Sequence, residues 1–190
     1  MTPSLPRTVE LLERSLGYTR GRLARVTTAG LASPTPCAAW SLGELLAHMD
    51  DALDAFLEAS VGPVALTAEA PYGPRTVSVS GLQEKACALL GAWTATVRGG
   101  PSAITVGDRP VPPSLLVATA ALEVAVHGWD VGQATGEEAP IPTALARDLC
   151  PGAAYVVTDA DRGVRFARAA AVRPDAPADH VLLAQLGRVA

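Results

Sequence analysis

Apolar residues recur at intervals of three, four or seven along four stretches of the chain, and that spacing predicts helices. The first pattern opens at Thr8 and carries Val9, Leu12, Leu16, Leu23 and Val26, with Gly17 and Gly21 weakening its middle. A loop follows at 32–40, where two prolines within three residues forbid a helix. Ser41 and Glu44 form an S-x-x-E capping box. They start a second helix with Leu42, Leu46, Met49, Leu53, Phe56 and Leu57 on one arc and Asp50, Asp51, Asp54 and Glu58 on the other. It is expected to end between Ser60 and Gly62. Residues 61–80 are rich in Pro, Gly and polar side chains, with at most a short extended piece from Thr76 to Val79. Ser80 and Gln83 repeat the capping spacing and open a third helix, which carries Leu82, Ala86, Leu89, Leu90, Trp93 and Val97 to the break at Gly99-Gly100-Pro101.

After a predicted loop, ITVGDRPVPP (104–113), a fourth helix runs from Pro113 or Ser114 to about Thr135, with Gly136 as C-cap. A weaker fifth helix is expected from Pro142 to Thr158, kinked or split at Pro151. The tail holds a short candidate strand from Val164 to Ala167, a Pro-rich turn and a last helix with Asp179 as N-cap. This pattern predicts an all-α chain: a four-helix bundle over 1–160 and a small C-terminal extension, 161–190, packing on it as a single domain.

Composition agrees with close-packed helices. Hydrophobic residues make up 49% of the 190, aromatic ones only 4%, so Ala, Val and Leu must build the core. The net charge of −4 comes without a basic block, which argues against nucleic acid as a partner. Three widely spaced cysteines with no C-x-x-C are odd in number and point to a reducing, cytoplasmic setting. The N-terminal residues lack the pattern of a signal peptide, and no uninterrupted apolar run reaches membrane-spanning length, so no membrane partner is expected.

The fourth helix breaks the rule that charges avoid apolar faces. At about 100° per residue, His127 and Leu116 fall within about 40° of Glu123 on one side, Asp130 and Thr119 within about 40° on the other. The polar trio lies inside the apolar stripe. The opposite face carries Ala118, Ala121, Ala125, Gly128 and Gly132 and no charge, so both faces are expected to be covered, one by the bundle and the other by a second subunit. A buried carboxylate beside a buried imidazole needs compensation. Three readings follow: a hydrogen-bonded pair in the core, a proton-transfer site, or a divalent metal, for which i,i+4 spacing aims two ligands at one point. A metal needs a further ligand. His180 lies in the Pro-rich tail and is expected to be exposed. His48 sits at the edge of the second helix's apolar arc, where a boundary histidine is the plain alternative.

TPCAAWSLGELLAHM (35–49) resembles the T-P-C-x-x-W…L-x-x-H segment of DinB-like bundles related to the N-terminal domain of mycothiol-dependent maleylpyruvate isomerase. LEVAVHGWDVGQATG (122–136) resembles the same group's E-x-x-x-H-x-W-D-x-x-x-A-T-G, and DAPADHVLLAQLGR (175–188) the ending of its short stand-alone members. The resemblance implies a DinB-like four-helix bundle, often a homodimer, with a metal held by His48, Glu123 and His127. Zinc is the first choice, with nickel or iron as alternatives. Two histidines and one carboxylate leave coordination positions open, as a catalytic ion requires. Mycothiol is the implied co-substrate. Two departures stand out: no pattern for the isomerase's second, α/β domain, and Ala38-Ala39 where Pro-Gly often lies between Cys and Trp.

Asp130 is a candidate hydrogen-bond partner of a ligand histidine, or else a tie between helix end and loop. Trp129 is read as packing and Trp40 as a hydrophobic plug. Cys37 is read chiefly as packing, Cys87 and Cys150 as inert core. Arg75 and Arg109, in the two long loops, are weak candidates for a substrate carboxylate. The function implied is a metal-dependent enzyme acting on a small electrophilic metabolite: a thiol-dependent isomerase or S-transferase, or a variant serving natural-product biosynthesis. The alternative is a non-catalytic, dimeric bundle that binds a metal or ligand.

Overall fold

The computed structural model describes residues 3–37, 40–65, 77–137, 139–163 and 166–189. Helix α1 (Leu5–Leu23) begins three residues before the expected Thr8, because Pro6 is well placed in a first turn, where its missing N–H is not needed. It continues through Gly17 and Gly21. Helix α2 (Leu42–Val61) starts where the capping box puts it: the Ser41 amide donates to Glu44 Oε2 at 2.8 Å, and the Glu44 amide donates back to Ser41 Oγ at 3.4 Å. Helix α3 (Val79–Thr96) is capped by Ser78, whose Oγ accepts from the Gly81 amide at 3.0 Å, and not by Ser80. Two serines two residues apart compete for the cap, and the upstream one reaches the amide. Of the expected extended piece at 76–79, Thr76 lies outside the described residues, Val77 and Ser78 belong to no strand, and Val79 is already helical.

Helix α4 (Pro113–Ala134) ends in a Schellman turn: Gly136 has φ 73°, its amide donates to Gln133, and Glu137 donates to Gly132. The segment before α4 is not a plain loop. Strands β1 (Ile104–Val106) and β2 (Arg109–Val111) pair antiparallel around Gly107-Asp108, with Gly107 at φ 61° and Asp108 at negative φ, the requirement of a two-residue hairpin turn with glycine first.

Residues Met1–Glu138 and Ala139–Ala190 form separate compact units. The second contains α5 (Thr143–Val156), with Pro151 inside it, and α6 (Ala178–Gln185), packed together. The fifth helix thus clusters with the tail. Asp179 does not cap α6. Pro177 holds that position, and Asp179 is buried in the first turn. The candidate strand at 164–167 is half outside the described residues, and Phe166 forms an isolated bridge with Arg162.

Within the first unit α1 packs along α4 and α3, and α2 along α3 and α4, so each helix of the bundle has two neighbours. Leu12, Leu45, Leu89, Trp93 and Val117 are fully buried at its centre. The Ala/Gly face of α4 is not a subunit interface: α1 covers it. Thr19 Oγ on α1 donates to the Val124 carbonyl at 2.7 Å. A Cβ on Gly128 would lie 2.9 Å from Thr19 Cβ and 3.1 Å from its Cα, so only glycine allows this approach. The small-residue face of α4 therefore gives no support to a homodimer, which rests on the resemblance alone.

Candidate metal centre

α2 and α4 bring the three expected side chains to one point. His48 Nε2 lies 2.7 Å from Glu123 Oε1, and His127 Nε2 lies 2.9 Å from the same oxygen. The two imidazole rings stand nearly perpendicular, 4.9 Å between centroids. Candidate donor atoms of all three residues fall within 4.8 Å of one another. Edge placement on α2 is what lets His48 do this: a residue at the margin of the apolar arc points into the seam toward α4, not into the bundle axis.

Asp130 completes the arrangement one turn on. His127 Nδ1 donates to Asp130 Oδ2 at 2.8 Å, and the carboxylate is wholly buried. With Nδ1 carrying that proton, Nε2 faces Glu123 and either holds a second proton or offers its lone pair to a cation. Burial alone disfavours charge on His127. The Glu123 carboxylate, helped by hydrogen bonds to Asp130, Cys37 and Glu123, outweighs burial and raises its pKa well above 6.5. Burial likewise pushes Glu123 up, and the charge and hydrogen bonds of His127, joined by those of His48, bring it well below 4.5. Without metal this is an imidazolium clamped between two carboxylates. The donor chemistry fits a divalent ion in place of the Nε2 proton: two imidazole nitrogens and one carboxylate oxygen, with a second carboxylate orienting one ring.

Two neighbours contribute more than the sequence reading allowed them. Cys37 Sγ donates to Asp130 Oδ2 at 3.5 Å, so the thiol sits beside the same carboxylate that holds His127. The Trp40 ring lies 4.6 Å from His48, tilted by 35°, and 6.2 Å from His127. Its plug is therefore over the histidines. The signal was available in the T-P-C-x-x-W run just upstream of the capping box, since a short loop before α2 has few places to put Cys and Trp other than near the top of that helix. Trp129 is buried packing, as read.

The profile of the mycothiol maleylpyruvate isomerase N-terminal domain matches residues 12–132, well over half of the chain. The chain belongs to this family. An uncharacterised Mycobacterium tuberculosis protein, found in two strains, is 26% identical over 144 residues, 74% of either chain. Among solved structures, the crystal structure of the mycothiol-dependent maleylpyruvate isomerase aligns at TM-score 0.58 and 20% identity, over 80% of this chain and 70% of that one. A histidine-to-alanine mutant of that enzyme aligns at 0.59 and 21%. These likenesses bear out the DinB-like bundle as the fold. The family's E-x-x-x-H and L-x-x-H positions are here the residues that converge.

The remaining candidates divide clearly. Arg109 is exposed on β2, and Arg75 lies outside the described residues. His180 is exposed. Asp50, Asp51 and Asp54 also come close to one another, but the Lys85 ammonium sits 2.7 Å from Asp50 and 2.6 Å from Asp54. Cys150 is half-buried, its thiol pushed up by burial. Cys87 is not inert core: it is exposed and lines a cavity of about 660 Å³. That cavity is bounded by α1, α2 and α3 and reaches Glu123 and Val124 on α4. α4 itself has the length and apolarity of a membrane span, but most of it is buried core and it carries the site.

Proposed function

We propose that the protein is a metal-dependent enzyme that joins a low-molecular-weight thiol, mycothiol, to a small electrophile, as an isomerase or an S-transferase. One observation carries this reading: two imidazole nitrogens from two helices meet at a single carboxylate oxygen, and an outer carboxylate orients one of the rings. His48 Nε2, Glu123 and His127 Nε2 would hold the ion, with zinc the first candidate. When bound, the ion would supply a Lewis acid that keeps a thiol ionised at neutral pH. Asp130 keeps the proton on His127 Nδ1, so that Nε2 faces the donor set. Trp40 covers the His48 ring and limits water there.

A thiolate adding to an activated double bond turns it into a single bond about which rotation is free. Departure of the thiolate then gives the isomer, while retention with uptake of one proton on carbon gives the S-adduct. Maleylpyruvate, named for the structural relatives, is the reference electrophile against which less charged activated alkenes are to be assayed. Elemental analysis tests the reading: about one divalent ion per chain, lost in His48→Ala with helicity intact, together with mycothiol-dependent turnover of an activated alkene. A folded, metal-free wild type would refute it. A non-catalytic binding role draws on one observation, the cavity, and stands if the ion is bound but no thiol-dependent turnover occurs.

A further inference from the structure

The cavity beside the candidate metal centre has a composition that speaks to the substrate. Its wall is built by Leu16, Met49, Leu53, Phe56, Leu82 and Leu90. Its polar residues include Glu13, Arg20 and Glu84, all exposed, and Gln83, half-buried. At the α4 end two polar side chains occur, Thr19 and Glu123. The Thr19 hydroxyl proton is committed to the Val124 carbonyl at 2.7 Å, and Glu123 is held by the two histidines. Neither has a donor to spare for an occupant. The Glu123 side chain keeps 30% of its surface accessible, and it is the only one of the three candidate ligands that lines this cavity. His48 and His127 do not.

We propose that the electrophilic substrate of this site carries an extended apolar body, acyl or aryl in character, which occupies this cavity with its reactive end at Glu123. The proposal rests on the metal-site reading above and specifies its substrate class. The volume of about 660 Å³ lies in the range of cavities that enclose drug-sized ligands, roughly 300–1,000 Å³. A polyhydroxylated thiol is the wrong occupant, since hydroxyls buried among leucine and phenylalanine side chains find no partners. A small dianion is equally unsuited, because among the described residues Arg20 is the one cationic side chain lining the cavity, and Glu13 and Glu84 line it too. The apolar partner therefore takes the cavity, and the polar thiol approaches by another route.

Gly17 offers a clean test. It lines the cavity, and a Cβ built on it meets nothing within 4 Å. Gly17→Leu adds apolar bulk there while replacing a helix-weakening residue in α1. The probe is N-phenyl-1-naphthylamine, a neutral fluorophore that brightens in apolar surroundings, titrated into the metal-loaded full chain. Expected are saturable binding at one site per chain, at least tenfold weaker binding in Gly17→Leu with unchanged metal content, and near wild-type binding in Gly17→Ala. Probe binding is also expected to slow the reaction of Cys87 with a thiol reagent, a readout independent of any variant. In turnover with mycothiol, kcat/KM for alkyl-substituted enones should rise with chain length in the wild type and stay flat in Gly17→Leu. Absence of saturable probe binding to folded, metal-loaded protein, or chain-length independence in the wild type, would overturn the proposal. Probe binding by protein that takes up no metal would instead overturn the enzymatic reading, while leaving the apolar occupancy of the cavity supported.

Discussion

Helix α4 presents two buried faces of opposite character. Toward α1 it offers Gly128 and the Val124 carbonyl, and the fit is so close that a single methyl would collide with the Thr19 side chain. Toward α2 it offers Glu123 and His127, with Asp130 behind them. The first face is inexpensive to bury: small residues, van der Waals contact and one satisfied carbonyl. The second is costly, because ionisable groups lose hydration and must recover it from one another. The α1 face shows that helices here can meet without charge. A trio of ionisable side chains on the α2 side is thus beyond what packing needs, and chemistry is the better account of it.

The widest gap between the faces should come from emptying the polar one. Glu123→Ala removes the atom on which both histidines converge. Metal content should fall from about one ion per chain to a trace, and thiol-dependent turnover by about a thousandfold or more, because two imidazoles alone make a weak site. Elemental analysis and steady-state rates measure both. Retained stoichiometric metal would show that another set of residues binds it. Asp130→Asn is a milder break. The amide oxygen can still accept from His127 Nδ1, but without charge, and divalent-metal affinity should drop about 10- to 100-fold. Competition with a chelator reads this directly, and an unchanged affinity would reduce Asp130 to a structural tie.

The apolar face has its own break. Gly128→Ala should destabilise the metal-free protein by about 1–3 kcal/mol, since α1 must retreat from α4 and the Thr19–Val124 hydrogen bond lengthens. Denaturant unfolding gives the figure. The polar face should be little affected: metal content per folded chain should stay near wild type, because α1 supplies none of the three ligands.

The two faces were not equally legible in the sequence. Helical periodicity is rigid, so Glu123, His127 and Asp130 could be put on one arc from spacing alone. His48 could not, because a residue at the margin of an apolar arc reads as exposed until the crossing of α2 and α4 is known. The T-P-C-x-x-W and L-x-x-H resemblance supplied that missing link. On the other side, Ala118, Ala121, Ala125, Gly128 and Gly132 announced that something packs closely there, but a stripe of small residues does not say what. The answer lay in Ser15 and Thr19, buried polar positions one turn apart on α1, whose small side chains match a small-residue partner. The β1–β2 hairpin was missed although Gly107-Asp108 between I-T-V and R-P-V is a turn signal, because the surrounding prolines read as loop. Cys87 reads as core because it falls in an apolar helical context, and the cavity that it lines depends on how α1, α2 and α3 splay. Such an opening is a property of the assembled helices, not of any one stretch.

Proton linkage should distinguish the faces most finely. Metal-free, His127 has a pKa well above its usual 6.5 and Glu123 one well below its usual 4.5, each opposed by burial and driven chiefly by the other's charge. A raised histidine stabilises the fold fully below about 6.5 and loses that contribution as pH climbs through its folded value. A lowered carboxylate stabilises fully above about 4.5 and loses it as pH falls through its folded value. The two limbs report one interaction seen from its two partners. In chelator, the melting temperature should therefore hold level between roughly pH 4.5 and 6.5 as far as this pair is concerned, and the pair's contribution should fade on either side. Saturating zinc should remove the alkaline limb, since a coordinated His127 has no Nε2 proton to lose. His127→Gln should flatten the same limb without metal, whereas Thr19→Val, on the uncharged face, should lower the whole curve by about 1 kcal/mol of stability at every pH. An alkaline limb that persists unchanged in His127→Gln would mean that the imidazolium between two carboxylates is not the metal-free state, and the idea of a cation site held ready by a proton would fail with it.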